Sequence, residues 1–263
     1  MHLTAAVQQL AGGMQGLRGT VQRLERRLCE FEARERLREA GRKPVYPVEF
    51  RSQFAEDALA WNLLGGQLEG FFIEVGAFDG YSYSVTYGLE CVGWKGLLIE
   101  AIPERAQACA ERRTQSRTVH AAMGRRGATG STEFTVVADP YGGMLSYATT
   151  SPEHKASLQQ HNYMKRTVSV PVTSMDELLK DHTGPIDLAV LDVEGGEVEL
   201  LEGFDIEKRK PRLMIIEDNL RQEQTPLSKY MATKPYVLVG VQEVNRIYVH
   251  NESADILKRA RSM

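Results

Sequence analysis

The chain has 263 residues, 42% of them hydrophobic and 25% charged, which suits one sizeable α/β domain with an appendage. A net charge of −3 gives no reason for a nucleic-acid partner, and the short basic clusters Arg112-Arg113, Arg125-Arg126 and Lys208-Arg209-Lys210 read as solvated faces. No apolar run reaches the roughly 18 residues of a membrane span, no signal-peptide pattern opens the chain, and three scattered cysteines point to a reducing, cytoplasmic setting.

Residues 3–31 carry apolar side chains at Leu3, Val7, Leu10, Met14, Leu17, Val21, Leu24, Leu28 and Phe31. Spacings of four and three alternate without a break, giving the 3.5-residue period of a coiled-coil seam. With Val7 at an a position, Arg27 falls at g and Glu32 at the following e, a pair able to meet across a parallel interface. Gly12, Gly13, Gly16 and Gly19 weaken the helix, and Gly41, Pro44 and Pro47 end it. Residues 1–42 are therefore expected to form a homo-oligomerising or partner-docking helix, the alternative being a helix folded back on its own domain. Residues 43–263 form the main domain.

From residue 52 strand-like and helix-like segments alternate. SQFAEDALAWNLLGG predicts a helix, FFIEV at 71–75 a strand, Tyr81 to about Val92 a helix, GLLIE at 96–100 a strand, ERAQACAERR a helix and TVHAAMG a third main strand. TEFTVV at 132–137 alternates as an extra strand, and TSMDELLKDH at 173–182 reads as a helix capped from Ser174 or Thr173. IDLAVLDV and PRLMIIED are near-continuous apolar runs of buried parallel strands, and YVLVGVQ with RIYVHN forms a terminal antiparallel pair. The alternation implies a doubly wound α/β sheet with ligands at the carboxyl ends of its strands.

A strand, a glycine turn (Gly76, Gly80) and a second strand ending on Glu100 form a nucleoside-binding half-site. Central strands end on Glu74, Glu100, Asp192 with Glu194, and Glu217 with Asp218. Like charges held close repel unless a cation or a hydroxyl-rich ligand lies among them.

FFIEVGAFDGYSYS, GWKGLLIEAIPE, TSMDELL, IDLAVLDVEGGEVELLEGF and PRLMIIEDN occur in the order and spacing of the FkbM family of S-adenosylmethionine-dependent methyltransferases, which the chain resembles over roughly residues 50–250. The resemblance implies a class I methyltransferase (Rossmann-like) sheet. It also implies a cofactor pocket drawn from Glu74, Gly76, Ala77, Phe78, Asp79, Gly80, Ser84, Glu100, Ala101, Ala122 and Asp192. Glu74 would lie near the amino-acid end of S-adenosylmethionine, and Glu100 would accept both ribose hydroxyls. Phe78 and Asp79 in the turn disfavour a pyrophosphate, so a dinucleotide oxidoreductase is the weaker reading.

The resemblance puts Asp192 beside the methyl donor, where two roles stay open. It acts as a general base, with Glu194 orienting substrate, or it joins Asp218 and Asn219 in a Mg²⁺ site similar to that of catechol-type O-methyltransferases. His154 and His161 lie in a long polar segment, 138–170, read as a lid over the substrate, with His161 a candidate base. Tyr141, Met144, Ser146 and Tyr147 are candidates for its lining. The implied activity is O-methylation of a sugar, glycan, glycolipid or secondary metabolite. The alternative is a non-catalytic methyltransferase-like module in a glycan-synthesis complex.

Overall fold

The computed structural model describes residues 2–137, 146, 164–220 and 222–263 and, within the first helix, side chains from residue 12 onward. Seven strands form the main sheet: β1 (Phe71–Val75), β2 (Lys95–Glu100), β3 (Arg117–His120), β7 (Leu188–Leu191), β8 (Leu213–Glu217), β9 (Tyr236–Gln242) and β10 (Asn245–His250). Their order is β3-β2-β1-β7-β8-β10-β9. The first five run parallel, and β10 is antiparallel to both β8 and β9. The order reverses between β1 and β7, so their carboxyl ends open a crevice there.

Strand alternation splits the core in two. Phe72, Leu98, Leu188, Val190, Leu213 and Ile215 face one layer. That layer contains α1 (His2–Glu39), α2 (Glu56–Leu63), α3 (Tyr87–Val92) and α9 (Ala254–Ala260). Ile73, Val75, Leu97, Ile99, Ala189, Leu191, Met214 and Ile216 face the other. There lie α5 (Met175–Leu178), α6 (Glu197–Glu202), α7 (Ile206–Arg209) and α8 (Pro226–Met231). Burial of an apolar side chain of this size contributes about 1.5–3 kcal/mol, so both faces are well covered.

The short helix α4 (Pro103–Arg112) follows β2 and packs on β3. A second sheet, β4-β6-β5, is built from β4 (Ala122–Met123), β5 (Ser131–Val137) and β6 (Lys165–Thr173). The segment TVHAAMG, expected as one strand, therefore divides between the two sheets. Lys165–Thr173 is a nine-residue strand paired with β5, although its first six residues were expected to belong to the lid. Two helices are shorter than expected. The one before β2 begins only at Tyr87, because residues 81–86 are held by carboxylates, and α5 spans four residues, with Ser174 capping it by accepting from Glu177 N.

The last third of α1 belongs to the domain core: Cys29, Ala33 and Leu37 are buried, and Trp61 Nε1 donates to Glu32. Arg26 and Arg34 donate to the Ser52 and Val48 carbonyls at 2.7 Å each. From Met14 to Phe31 the heptad side chains are on another face of the helix and stay exposed, between 45% at Val21 and 72% at Met14.

Candidate active site

The crevice between the ends of β1 and β7 is a cleft walled by the exits of β1, β2 and β7 and by the second sheet, which contributes Thr132, Phe134 and Val172. Gly76 makes the close approach possible. Its φ is +81°, and an added Cβ would sit 2.1 Å from the Asp192 carbonyl oxygen, so no side chain fits. The Gly76 and Ala77 N–H groups both donate to the Ile99 carbonyl, which locks this turn to β2.

Glu100 is buried at the base of the cleft and accepts from Phe78 N and Ile102 N at 2.8 Å each. Burial pushes its carboxyl up to about 6, against the pull of those N–H groups and of Arg105. Each carboxylate oxygen has two lone pairs, so both keep acceptor capacity toward a vicinal diol. Phe78 holds a positive φ of 52°, and the Arg105 guanidinium stacks on its ring at 4.4 Å.

Not every expected residue meets the cleft. Glu74, Gly76, Ala77, Phe78, Ser84, Glu100, Ala101, Ala122, Asp192 and Glu194 line it; Asp79 and Gly80 do not. Asp79 folds back to accept from Tyr81 N and Ser82 N and pairs with Arg112 at 2.8 Å. Burial would raise its pKa, but these donors outweigh it and the net shift is downward. Gly80 is small for packing, since a Cβ there would lie 2.8 Å from Cys109 Sγ and from Arg113 Cγ.

Glu74 lines the cleft, yet its carboxylate is occupied. It accepts from Ser84 Oγ (2.9 Å), Val85 N (2.8 Å) and Thr86 Oγ1 (2.6 Å), and Arg113 stands 3.7 Å away. Arg113 is fully buried, contrary to its reading as part of a solvated face. It pairs with Glu90 at 3.0 Å and donates to the Gly80 carbonyl, Ser84 Oγ and Thr86 Oγ1. This arginine fixes the turn after β1. Nothing in its neighbourhood in the sequence distinguishes it from Arg112, so only the fold reveals it.

A second acid group surrounds Asp192. In the β7–β8 register Leu191 pairs with Ile216, so Asp192 falls beside Glu217. Oxygens of Asp192, Glu194 and Glu217 lie within 4.8 Å of one another. Burial pushes Asp192 up to about 6 despite a hydrogen bond from Glu217, with Glu56 and Glu74 adding repulsion. Burial likewise pushes Glu197 up to about 7, opposed by the N–H groups of Gly195 and Val193. Glu217 is raised well above the carboxylate range by burial and then by Asp192, and its Oε2 is buried with no donor among the described residues.

Asp218, expected among the metal ligands, is not in this group. One residue beyond Glu217, it falls on the other face of the strand by the two-residue period, where Arg246 Nε at 2.5 Å and Thr225 Oγ1 at 2.6 Å engage it. Asn219 reaches Glu194, at 3.5 Å. Glu217 is the acid that stands with Asp192. Aligning LAVLD with LMIIE in the sequence would have identified it. His154, His161, Tyr141, Met144 and Tyr147 lie outside the described residues; Ser146 lines the cleft, and its Oγ accepts from Val137 N.

Comparison with protein-family models matches residues 74–247 to the Methyltransferase FkbM domain, about two thirds of the chain and all the strands that build this cleft except the first residues of β1. The chain belongs to the FkbM methyltransferase family. The family makes S-adenosylmethionine the expected methyl donor, and the parallel sheet with its antiparallel β10 is the class I methyltransferase fold. A search of curated proteins returned no match. Among solved structures, the FkbM methyltransferase chain is similar to the METTL16 MTase domain at 13% identity, covering 78% of this chain and 68% of that one, with a TM-score of 0.42. It is also similar to a human methyltransferase 10 domain containing protein (12%, 85% and 94%, 0.42). A SAM dependent methyltransferase from Aquifex aeolicus matches at 11% identity over 74% and 88%, with a TM-score of 0.36.

Proposed function

We propose that this FkbM methyltransferase transfers a methyl group from S-adenosylmethionine to a hydroxyl oxygen of a sugar, glycan, glycolipid or secondary metabolite, with Asp192 taking the hydroxyl proton. The observation that supports this most is the Asp192 carboxyl at the cleft wall, raised to about 6 by burial. It is ionised at pH 7 yet more basic than an ordinary aspartate, as a general base near neutrality requires. An oxygen lone pair forms the new C–O bond while the C–S bond breaks and its electron pair goes to sulfur. The alcohol proton passes to Asp192, and a neutral thioether remains.

Glu100 would accept the ribose hydroxyls, Gly76 and Ala77 would bring backbone under the amino-acid end, and Glu194 would orient the acceptor. The acids around Asp192 favour a ligand carrying sulfonium and ammonium charges and an acceptor rich in hydroxyls. Asp192→Asn should lower kcat about 10²–10⁴-fold while cofactor affinity by titration calorimetry stays within threefold. Near-normal turnover in that variant would move the base to His161. Absence of any S-adenosylmethionine binding by the wild-type protein would favour the non-catalytic assembly module.

A divalent cation is a second reading, supported by the buried, donor-less Glu217 Oε2 among three carboxylates. That atom needs a proton or a cation beside it. The oxygen-only set fits Mg²⁺, with Asp192, Glu194 and Glu217 as ligands in place of Asp192, Asp218 and Asn219. When bound, Mg²⁺ would lower the pKa of a hydroxyl next to it. Full activity after EDTA treatment would leave the proton as the occupant.

A further inference from the structure

We infer that α1 pairs with the α1 of a second copy as a parallel two-stranded coiled coil, whose stalk rises from the active-site edge of each sheet. Two independent observations meet here. The sequence places nine apolar residues from Leu3 to Phe31 at strict a and d positions. The fold docks α1 on its own domain through Cys29, Ala33 and Leu37, which in the same heptad count are b, f and c. An f residue lies opposite the a/d seam on the helix circumference, so docking leaves the seam pointing away from the domain. Met14, Leu17, Val21, Leu24, Leu28 and Phe31 are all exposed there.

The occupant is argued from the seam itself. Two of the four a positions, Val7 and Val21, are β-branched, beside Met14 and Leu28, and four of the five d positions are Leu, with Phe31 the fifth; β-branched residues at a with Leu at d favour two parallel strands. A second copy supplies the same seam with its own domain on the outer side, so the two domains do not compete for space. Gly12, Gly13, Gly16 and Gly19 take f, g, c and f positions, off the seam, with open space around each. A helix with four glycines is weak alone, and pairing stabilises it. Arg27, at g, is exposed beside the seam, while Glu32, at the following e, already receives Arg36 and Trp61 Nε1 of its own chain.

The direction of the stalk follows from what α1 passes. Arg36 packs against Gly66, just ahead of β1, at the amino edge of the sheet. Arg26 donates to the Ser52 carbonyl, and Ser52 bridges to Tyr83 beyond the carboxyl end of β1. Arg18 pairs with Glu243 in the β9–β10 turn, level with the carboxyl end of β8. Residues 2–17 therefore continue past the carboxyl edge for roughly 24 Å at 1.5 Å per residue. In a parallel pair both carboxyl edges face the same way, so the two clefts flank one stalk.

Light scattering of the full chain at about 20 µM should give a dimer mass, and the double variant Leu17→Glu/Leu24→Glu a monomer with unchanged cofactor affinity. Gln15→Glu/Gln22→Glu, at b positions off the seam, should stay dimeric. A monomeric wild type, a higher oligomer, or a Leu17→Glu/Leu24→Glu variant of unchanged mass would overturn the pairing. Leu24→Cys, at a d position, should cross-link to a dimer under mild oxidation. A dimer that does not cross-link is antiparallel and would overturn the common direction of the clefts.

Discussion

Two groups of carboxylates have their charge compensated in different ways. Glu74 and Glu90 share the buried Arg113, which also donates to Gly80, Ser84 and Thr86. Among the described residues, no ion pair reaches Asp192, Glu197 or Glu217. The acids with a cation of their own shape the turn, while those without one have raised pKa values, and of these Asp192 lines the cleft. Where charge is neutralised from within, an acid is scaffold. Where it is not, the site is prepared for a proton, a cation or a cationic ligand.

The strongest test of this contrast is Arg113→Met, which leaves two buried acids unpaired. It should cost about 3–5 kcal/mol, read as a large drop in melting temperature or loss of soluble protein. A loss below about 1 kcal/mol would break the distinction, since a surface pair is worth no more than that.

The second test is pH. Asp192 and Glu197 have folded pKa values of about 6 and about 7, above their ordinary carboxyl values. Below those values the folded chain holds protons that the unfolded chain has released, so stability falls as pH rises from about 4 through 7. The ligand-free protein should melt roughly 3–8 °C lower at pH 8 than at pH 5. Glu217→Gln should flatten that slope, and saturating S-adenosylmethionine should offset it. A melting temperature that rises with pH over this range would mean the group is compensated after all.

The smallest expected effect sharpens the comparison within the cofactor turn. Glu100→Ala should weaken S-adenosylmethionine binding about 10–100-fold, the loss of charge-assisted hydrogen bonds worth about 1.5–3 kcal/mol. Asp79→Ala should change affinity less than threefold but lower stability by about 1 kcal/mol, because Asp79 ties down Tyr81 and Ser82 N–H groups. Equal effects on affinity would place Asp79 in contact with the ligand.

Much of the fold was legible from periodicity. The apolar runs FFIEV, GLLIE, LAVL and LMIIE become β1, β2, β7 and β8 because strands covered on both faces need continuous apolar side chains. The terminal pair becomes β9 and β10 as expected. Less legible was Lys165–Thr173, whose charged and polar start hid a strand stabilised by pairing with β5 rather than by its own composition. Glycine roles divided as well. Gly76 and Gly80 look alike in sequence, but one clears the Asp192 carbonyl and the other clears Cys109.

By itself the sequence determined the strand-end acids, the glycine turn and the heptad seam, because each is a local pattern of spacing along the chain. Only the tertiary structure decided which acids act together. Strand register sets Asp192 beside Glu217, and the two-residue alternation sends Asp218 to Arg246 on the opposite face. It also decided that Arg113 is interior and that α1 docks by the face its heptads leave free. Those outcomes depend on which elements meet across distances in sequence that no local period encodes.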